Sequence, residues 1–144
     1  MRPAIVTRKP LAKPHAQPSQ PTTRQLLGAF GERVAAHKLE AAGLVVIARN
    51  VRTQGGEIDI VAHDGPDLVF AEVRTRRASP GVASESLGPA KLRRMWQCAM
   101  DYCESNAIDP ERVRIDAVSI DLAPNGAIAA VEHFRGLEIP DGED

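Results

Sequence analysis

The chain has 144 residues, 43% of them hydrophobic and 26% charged, and a formal net charge of -1. That material supports a single domain with one modest core and argues against strong non-specific attraction to a nucleic-acid backbone. Aromatic residues make up 3%, too few to stack a run of bases.

Charge is unevenly spread. Met1 to Gly31 carries five basic residues (Arg2, Arg8, Lys9, Lys13, Arg24) and no acid. The remainder, with 13 Lys/Arg against 19 Asp/Glu, stands at -6. No apolar run reaches the roughly 18 residues of a membrane span, and the N-terminus has no apolar segment typical of a signal peptide. Cys98 and Cys103 form no CxxC pair and stand five apart in one expected helix. That spacing puts them on different faces and speaks against both a thiolate zinc site and an intrahelical disulfide. A reducing cytoplasm and no membrane partner are expected.

Residues 1–21, "MRPAIVTRKPLAKPHAQPSQP", contain five prolines and no apolar period. They read as a disordered basic tail, either dispensable or an electrostatic arm for phosphate. The folded domain is expected over 22–136, with an acidic tail over 137–144. "TTRQLLGAFGERVAAHKLEAAG" reads as a helix capped by Thr22 or Thr23 and ended by Gly43, with Leu26, Leu27, Phe30, Val34 and Leu39 as its apolar stripe. Gly28 and Gly31 within it suggest close approach of another backbone.

Strands are expected at 44–52, 55–63 and 68–75, the last two forming a hairpin around "DGPD". The loop "ASPGVASES" leads to a helix over 87–107, with Leu92, Met95, Trp96, Ala99 and Cys103 towards the core. A strand at 112–122, the turn "APNG" and a last strand "AIAAVEHF" complete the order α-β-β-β-α-β-β. The third and fourth strands, joined through a helix, should be parallel with a right-handed crossover. The fold class is α/β: a single domain with a mixed central sheet flanked by helices.

The hairpin carries the chemistry. Side chains alternate along a strand, so Glu57 and Asp59 share a face with Val61, and Glu72 and Arg74 share one with Leu68 and Phe70. A turn symmetric about Gly65 and Pro66 sets Asp59 opposite Glu72, and Glu57 opposite Arg74. Opposed carboxylates repel, so something positive is required. Either Arg74, Arg76 and Arg77 neutralise the three acids as a salt-bridged patch, or the acids hold a divalent metal, for which hard oxygen ligands suit Mg²⁺ or Mn²⁺. Glu32, in the first helix, is either a solvated helical residue or a third carboxylate over the sheet. Gly55 and Gly56 read as a loop or bulge before the strand.

These same residues resemble a known family. "GERVAAHKLEAAGLVVIARNVRTQGGEIDIVAHDGPDLVFAEVRTRR", with "GPAKLRR" and "RIDAVSI" after it, is similar to the YraN family of uncharacterised bacterial proteins over about residues 24–121. The ordered set G-E, G-E-I-D and F-x-E-V-[KR] is what carries the likeness. That family is assigned to the PD-(D/E)XK, restriction-endonuclease-like fold and is similar to Holliday-junction resolvases. The resemblance implies Asp59 and Glu72 as metal ligands and Glu32 as the helical acid completing the site. It places Arg74 where the motif has its lysine.

An arginine binds phosphate but accepts no proton near neutral pH. Lys91, in the second helix, reaches the site only if that helix packs on the same face; otherwise it is a surface lysine. The implied chemistry is Mg²⁺- or Mn²⁺-dependent hydrolysis of DNA, perhaps branched. Arg52, Arg76, Arg77, Lys91, Arg93 and Arg94, with Arg49, are the candidates for backbone contacts, and a homodimer follows only by analogy with resolvases. Two other readings stand beside it: a nucleic-acid-binding module of the same fold with little catalysis, and a protein-interaction domain whose acids scatter.

Overall fold

A computed structural model describes residues 20–77 and 87–139. The basic tail up to residue 19, the loop 78–86 and residues 140–144 lie outside the described residues. The elements follow the expected order: α1 (Thr23–Ala41), β1 (Val45–Thr53), β2 (Gly56–Asp64), β3 (Asp67–Arg77), α2 (Pro89–Ser105), β4 (Val113–Leu122) and β5 (Ile128–Phe134). A short 3-10 turn at Pro110–Arg112, started by Asp109, leads into β4 and was not expected. Among the described residues, no helix is long and apolar enough to cross a membrane.

Local chemistry sets the boundaries. Thr22 caps α1 by accepting from the Gln25 N–H, and the Gln25 side chain accepts from the Thr22 N–H, a capping box. At the other end Gly43 adopts φ 95°, and Leu44 N donates to Leu39 O. This is the left-handed glycine termination that satisfies the last carbonyls.

The sheet runs β1-β2-β3-β4-β5. β3 and β4 are parallel through the α2 crossover, and the other pairs are antiparallel. Each face has its own core. Ala35, Ala36 and Leu39 of α1 pack on Ile60, Ala62, Val69, Ala71, Val118 and Ile120. Leu92, Cys98, Ala99 and Cys103 of α2 pack on Ile58, Val61, Leu68, Phe70 and Ile115. Burying two aliphatic layers in this way is the main favourable term of folding.

Three expectations need correction. Leu26 is 56% exposed, so the inner stripe of α1 starts at Leu27. Gly31 is buried against a side chain: a Cβ there would overlap Thr75 Oγ1, whereas Gly28 has open space around it. Cys98 and Cys103 are free thiols, as expected, but both are buried in the α2 core. The buried face of α2 is broad enough to take in residues five apart.

Candidate active site

The turn fixes the site. Gly65 takes φ 58° beside Pro66, and the β2–β3 register runs from Asp64↔Asp67 to Ile60↔Ala71. Continued by one residue, that register sets Asp59 against Glu72, as the symmetric turn predicts. There the ladder gives way to a side chain: Asp59 Oδ2 accepts the Val73 N–H at 2.9 Å. Burial first, then the Glu72 charge, a hydrogen bond with Glu72 and the Glu32 charge, push the Asp59 carboxyl up from 3.8 to about 7. The Val73 N–H works the other way and is outweighed.

Strict alternation fails at this point. Ile58 packs in the α2 core with Val61, while Ile60 between them packs in the α1 core. β1 does the same thing alongside: Ala48 and Val51, three apart, both pack towards α2. Between the pairs Arg49↔Ile60 and Val51↔Ile58 stands Asn50, with φ 51°. A left-handed residue is rare in a strand, and asparagine is among the few non-glycine residues that tolerate it. Asn50 Nδ2 donates to Glu32 Oε2 at 3.1 Å. The helical acid therefore lies over the sheet end, linked to the strand that runs beside Asp59. Gly31, wedged against Thr75, sets how closely that turn of the helix approaches.

On the other face, Lys91 does reach the site. Its Nζ lies 3.1 Å from Glu72 Oε1, and the Glu72 side chain is 16% exposed. Glu57, Ile58, Phe70, Ala71 and Glu72 line a narrow cleft roofed by Met95 of α2. Arg94 Cδ comes near Gly56, and Arg52 pairs in register with Glu57. Both arginines are exposed at the start of β2. Arg74, Arg76 and Arg77 follow Glu72 along β3, in register with Ser119, Asp121 and Leu122. Arg74 shares the alternation face of Glu72, and Arg93 is half-buried on α2. Gln54 and Gly55 form the tip of the β1–β2 hairpin, where Gly55 N donates to Asp101 of α2 at 3.0 Å, and Gly56 opens β2 opposite Thr53. Gly55 lies in the loop that the sequence suggests, whereas Gly56 is already part of the strand.

Asp59 and Glu72 thus meet, with Glu32 acting on Asp59 through its charge. Among the described residues, no three His, Cys, Asp or Glu side chains are grouped closely enough to enclose an ion. Two carboxylates still fit the habit of Mg²⁺, which takes one or two and keeps several waters.

A second acid was missed by sequence reasoning. Asp116 of β4 is fully buried. It accepts from Arg114 Nε and Nη2 at 2.9 Å each and from Gly136 N at 3.0 Å, and it lies 2.7 Å from His133 Nε2. Arg114 Nη1 also donates to Asp64 at 2.8 Å. Burial would raise the Asp116 pKa, but Arg114, Gly136 and His133 outweigh it and the net effect is lowering. The alternation of "RVRIDAVSI" hints at an inward acid with Arg114 two positions before it on the same strand; the other partners, from β5 and the segment after it, give no local signal.

A family model described as "Uncharacterised protein family UPF0102" matches residues 31–120. A "UPF0102 protein" of Kineococcus radiotolerans is 40% identical over 116 residues, covering 79% of this chain and 94% of that protein. One of Dichelobacter nodosus is 48% identical over 99 residues, 68% of this chain and 79% of the relative. One of Streptomyces griseus is 44% identical over 117 residues, 79% and 97% respectively.

Proposed function

The chain belongs to the uncharacterised protein family UPF0102, the YraN family, and because that name states no activity we propose a function from the site: a Mg²⁺- or Mn²⁺-dependent nuclease that hydrolyses DNA phosphodiester bonds, branched DNA included. The observation that carries this reading is the meeting of Asp59 and Glu72 where the β2–β3 ladder ends. A merely salt-bridged patch would hold its acids ionised. Here burial first, and then the Glu72 charge, push Asp59 up to about 7, which supports a pair of acids suited to share a cation. The endonuclease-like fold that the motif implies has support from the element order, with the acids on adjacent strands and α1.

Asp59 and Glu72 would hold the cation, with Glu32 as the further acid. The bound ion supplies activation of a water and relief of charge on the scissile phosphate. Lys91 contributes from α2 the ammonium that β3 lacks, and it does so at Glu72. Arg74 stays protonated and serves as a phosphate contact rather than a proton acceptor. Arg52 and Arg94, exposed on the flank, offer charge to the backbone on either side.

The test is cleavage of labelled linear, single-stranded and four-way-junction DNA, with and without Mn²⁺. Wild-type protein should cut only with the metal, and Asp59→Ala and Glu72→Ala should each lower the rate by on the order of 100-fold or more. Equal cleavage by wild type and variants would overturn the assignment. Binding without cleavage would favour the inactive module of the same fold.

A further inference from the structure

Asn50 is the one non-glycine residue inside a described strand with a left-handed backbone, φ 51°. It stands between Arg49↔Ile60 and Val51↔Ile58, at the level of Asp59. Both strands change faces there: Ala48 and Val51 pack towards α2 on one, Ile58 and Val61 on the other. A strained conformation in a strand persists only where its surroundings demand it, and such conformations concentrate at functional sites.

The side chain supplies the demand. Asn50 Nδ2 reaches Glu32 Oε2 at 3.1 Å, across 18 positions of sequence. The backbone of Glu32 is already placed by its neighbour Gly31, whose missing Cβ lets α1 close on Thr75. What remains free is the long Glu32 side chain, half-buried and beside a strand end that already carries two acids. Left to itself, a carboxylate there turns away from like charge towards water. One amide donor on Oε2 ties the carboxylate to β1.

We propose that Asn50 is a positioning residue, whose left-handed backbone sets its amide to hold the Glu32 carboxylate on the Asp59 side of the sheet end, where Glu32 acts on the site through its charge. This rests on the metal-site reading above. Supporting residues that orient a ligand typically matter by about 10–100-fold in metal affinity.

The choice of residue follows. Glycine keeps the left-handed backbone but has no amide. Aspartate tolerates the backbone but presents oxygens to Glu32 and repels it. Mn²⁺ titration calorimetry on wild type, Asn50→Gly, Asn50→Asp and Glu32→Ala separates these effects, with thermal unfolding of each in parallel. Asn50→Gly should unfold close to wild type and weaken Mn²⁺ binding by about 10-fold, and Glu32→Ala should weaken it by a similar factor. Asn50→Asp should weaken binding at least as much. The double variant Asn50→Gly/Glu32→Ala should lose nothing beyond Glu32→Ala.

Wild-type affinity in Asn50→Gly, with binding lost in Asp59→Ala, would overturn the role of Asn50 and leave the site standing. If wild-type protein takes up no Mn²⁺, the site reading falls, and a metal-free measurement judges Asn50. NMR couplings should show one χ1 rotamer for Glu32 in wild type and averaging in Asn50→Gly. Averaged couplings in wild type would overturn the positioning role.

Discussion

Asp59 on β2, half-buried, and Asp116 on β4, fully buried, flank the same strand, β3, and resolve the cost of removing an acid from water in opposite ways. Asp116 is enclosed by a forked arginine, a backbone N–H and a histidine, and its pKa is lowered. Asp59 has one backbone donor and acids for neighbours, and its pKa is raised to about 7. The first acid is a finished part of the framework, tying β4 to β5 and to the segment after it. The second is held open at the protein's own expense, as binding and catalytic groups are.

The largest expected effect falls on the finished acid. Asp116→Ala leaves Arg114 and His133 facing a void, and should cost about 3–5 kcal/mol in urea unfolding. A loss below about 1 kcal/mol would erase the distinction between the two acids.

The pH dependence sharpens it. Asp59 has a folded pKa of about 7 against 3.8 for the unfolded chain. Its contribution to stability is therefore complete below 3.8 and lost as pH rises to about 7. The slope approaches about 1.4 kcal/mol per pH unit, the value for one proton. In metal-free protein, Asp59→Asn should remove that fall, making the variant more stable than wild type near neutral pH. Asp116, with a lowered pKa, has the opposite sign: its contribution is present above 3.8 and lost in acid. Matched urea titrations of Asp59→Asn and Asp116→Asn across pH should slope in opposite senses relative to wild type.

Gly31→Ala comes next. Its Cβ would overlap Thr75 Oγ1, at about 1–3 kcal/mol for overpacking, and Thr75→Ala in the same chain should restore most of the loss. The smallest effect on stability is Lys91→Ala. Its side chain is 40% exposed, and such surface pairs contribute at most about 1 kcal/mol. A change in melting temperature beyond a few degrees would mean that Lys91 is part of the framework rather than of the site.

The hairpin was legible because a two-residue turn with Gly65 and Pro66 leaves little choice of register, so opposing Asp59 to Glu72 needed no tertiary information. The α2 crossover was legible for a similar reason, since a helix between strands makes them parallel. What escaped was whatever depends on a break in period or on distant partners. Alternation placed Asp59 with Val61, but the step at Asn50 and Asp59 shifts the face. "ARNVR" carried the one available signal, an asparagine inside a strand-like run. Asp116 gave only the local sign of Arg114 two positions before it, because its other donors come from His133 and Gly136, 17 and 20 positions away. Lys91 could be placed only once α2 was seen to cross the Glu72 face.

Glu32, Asn50, Asp59, Glu72 and Lys91 come one each from the first five elements, in chain order. No fragment smaller than that whole run holds them together, and both helices must be docked on opposite faces at once. Occupancy of this site would therefore gauge the joint assembly of α1, β1, β2, β3 and α2. A ligand that binds here has no foothold on a partly folded chain, and it raises the stability of the entire domain by the full mass-action term.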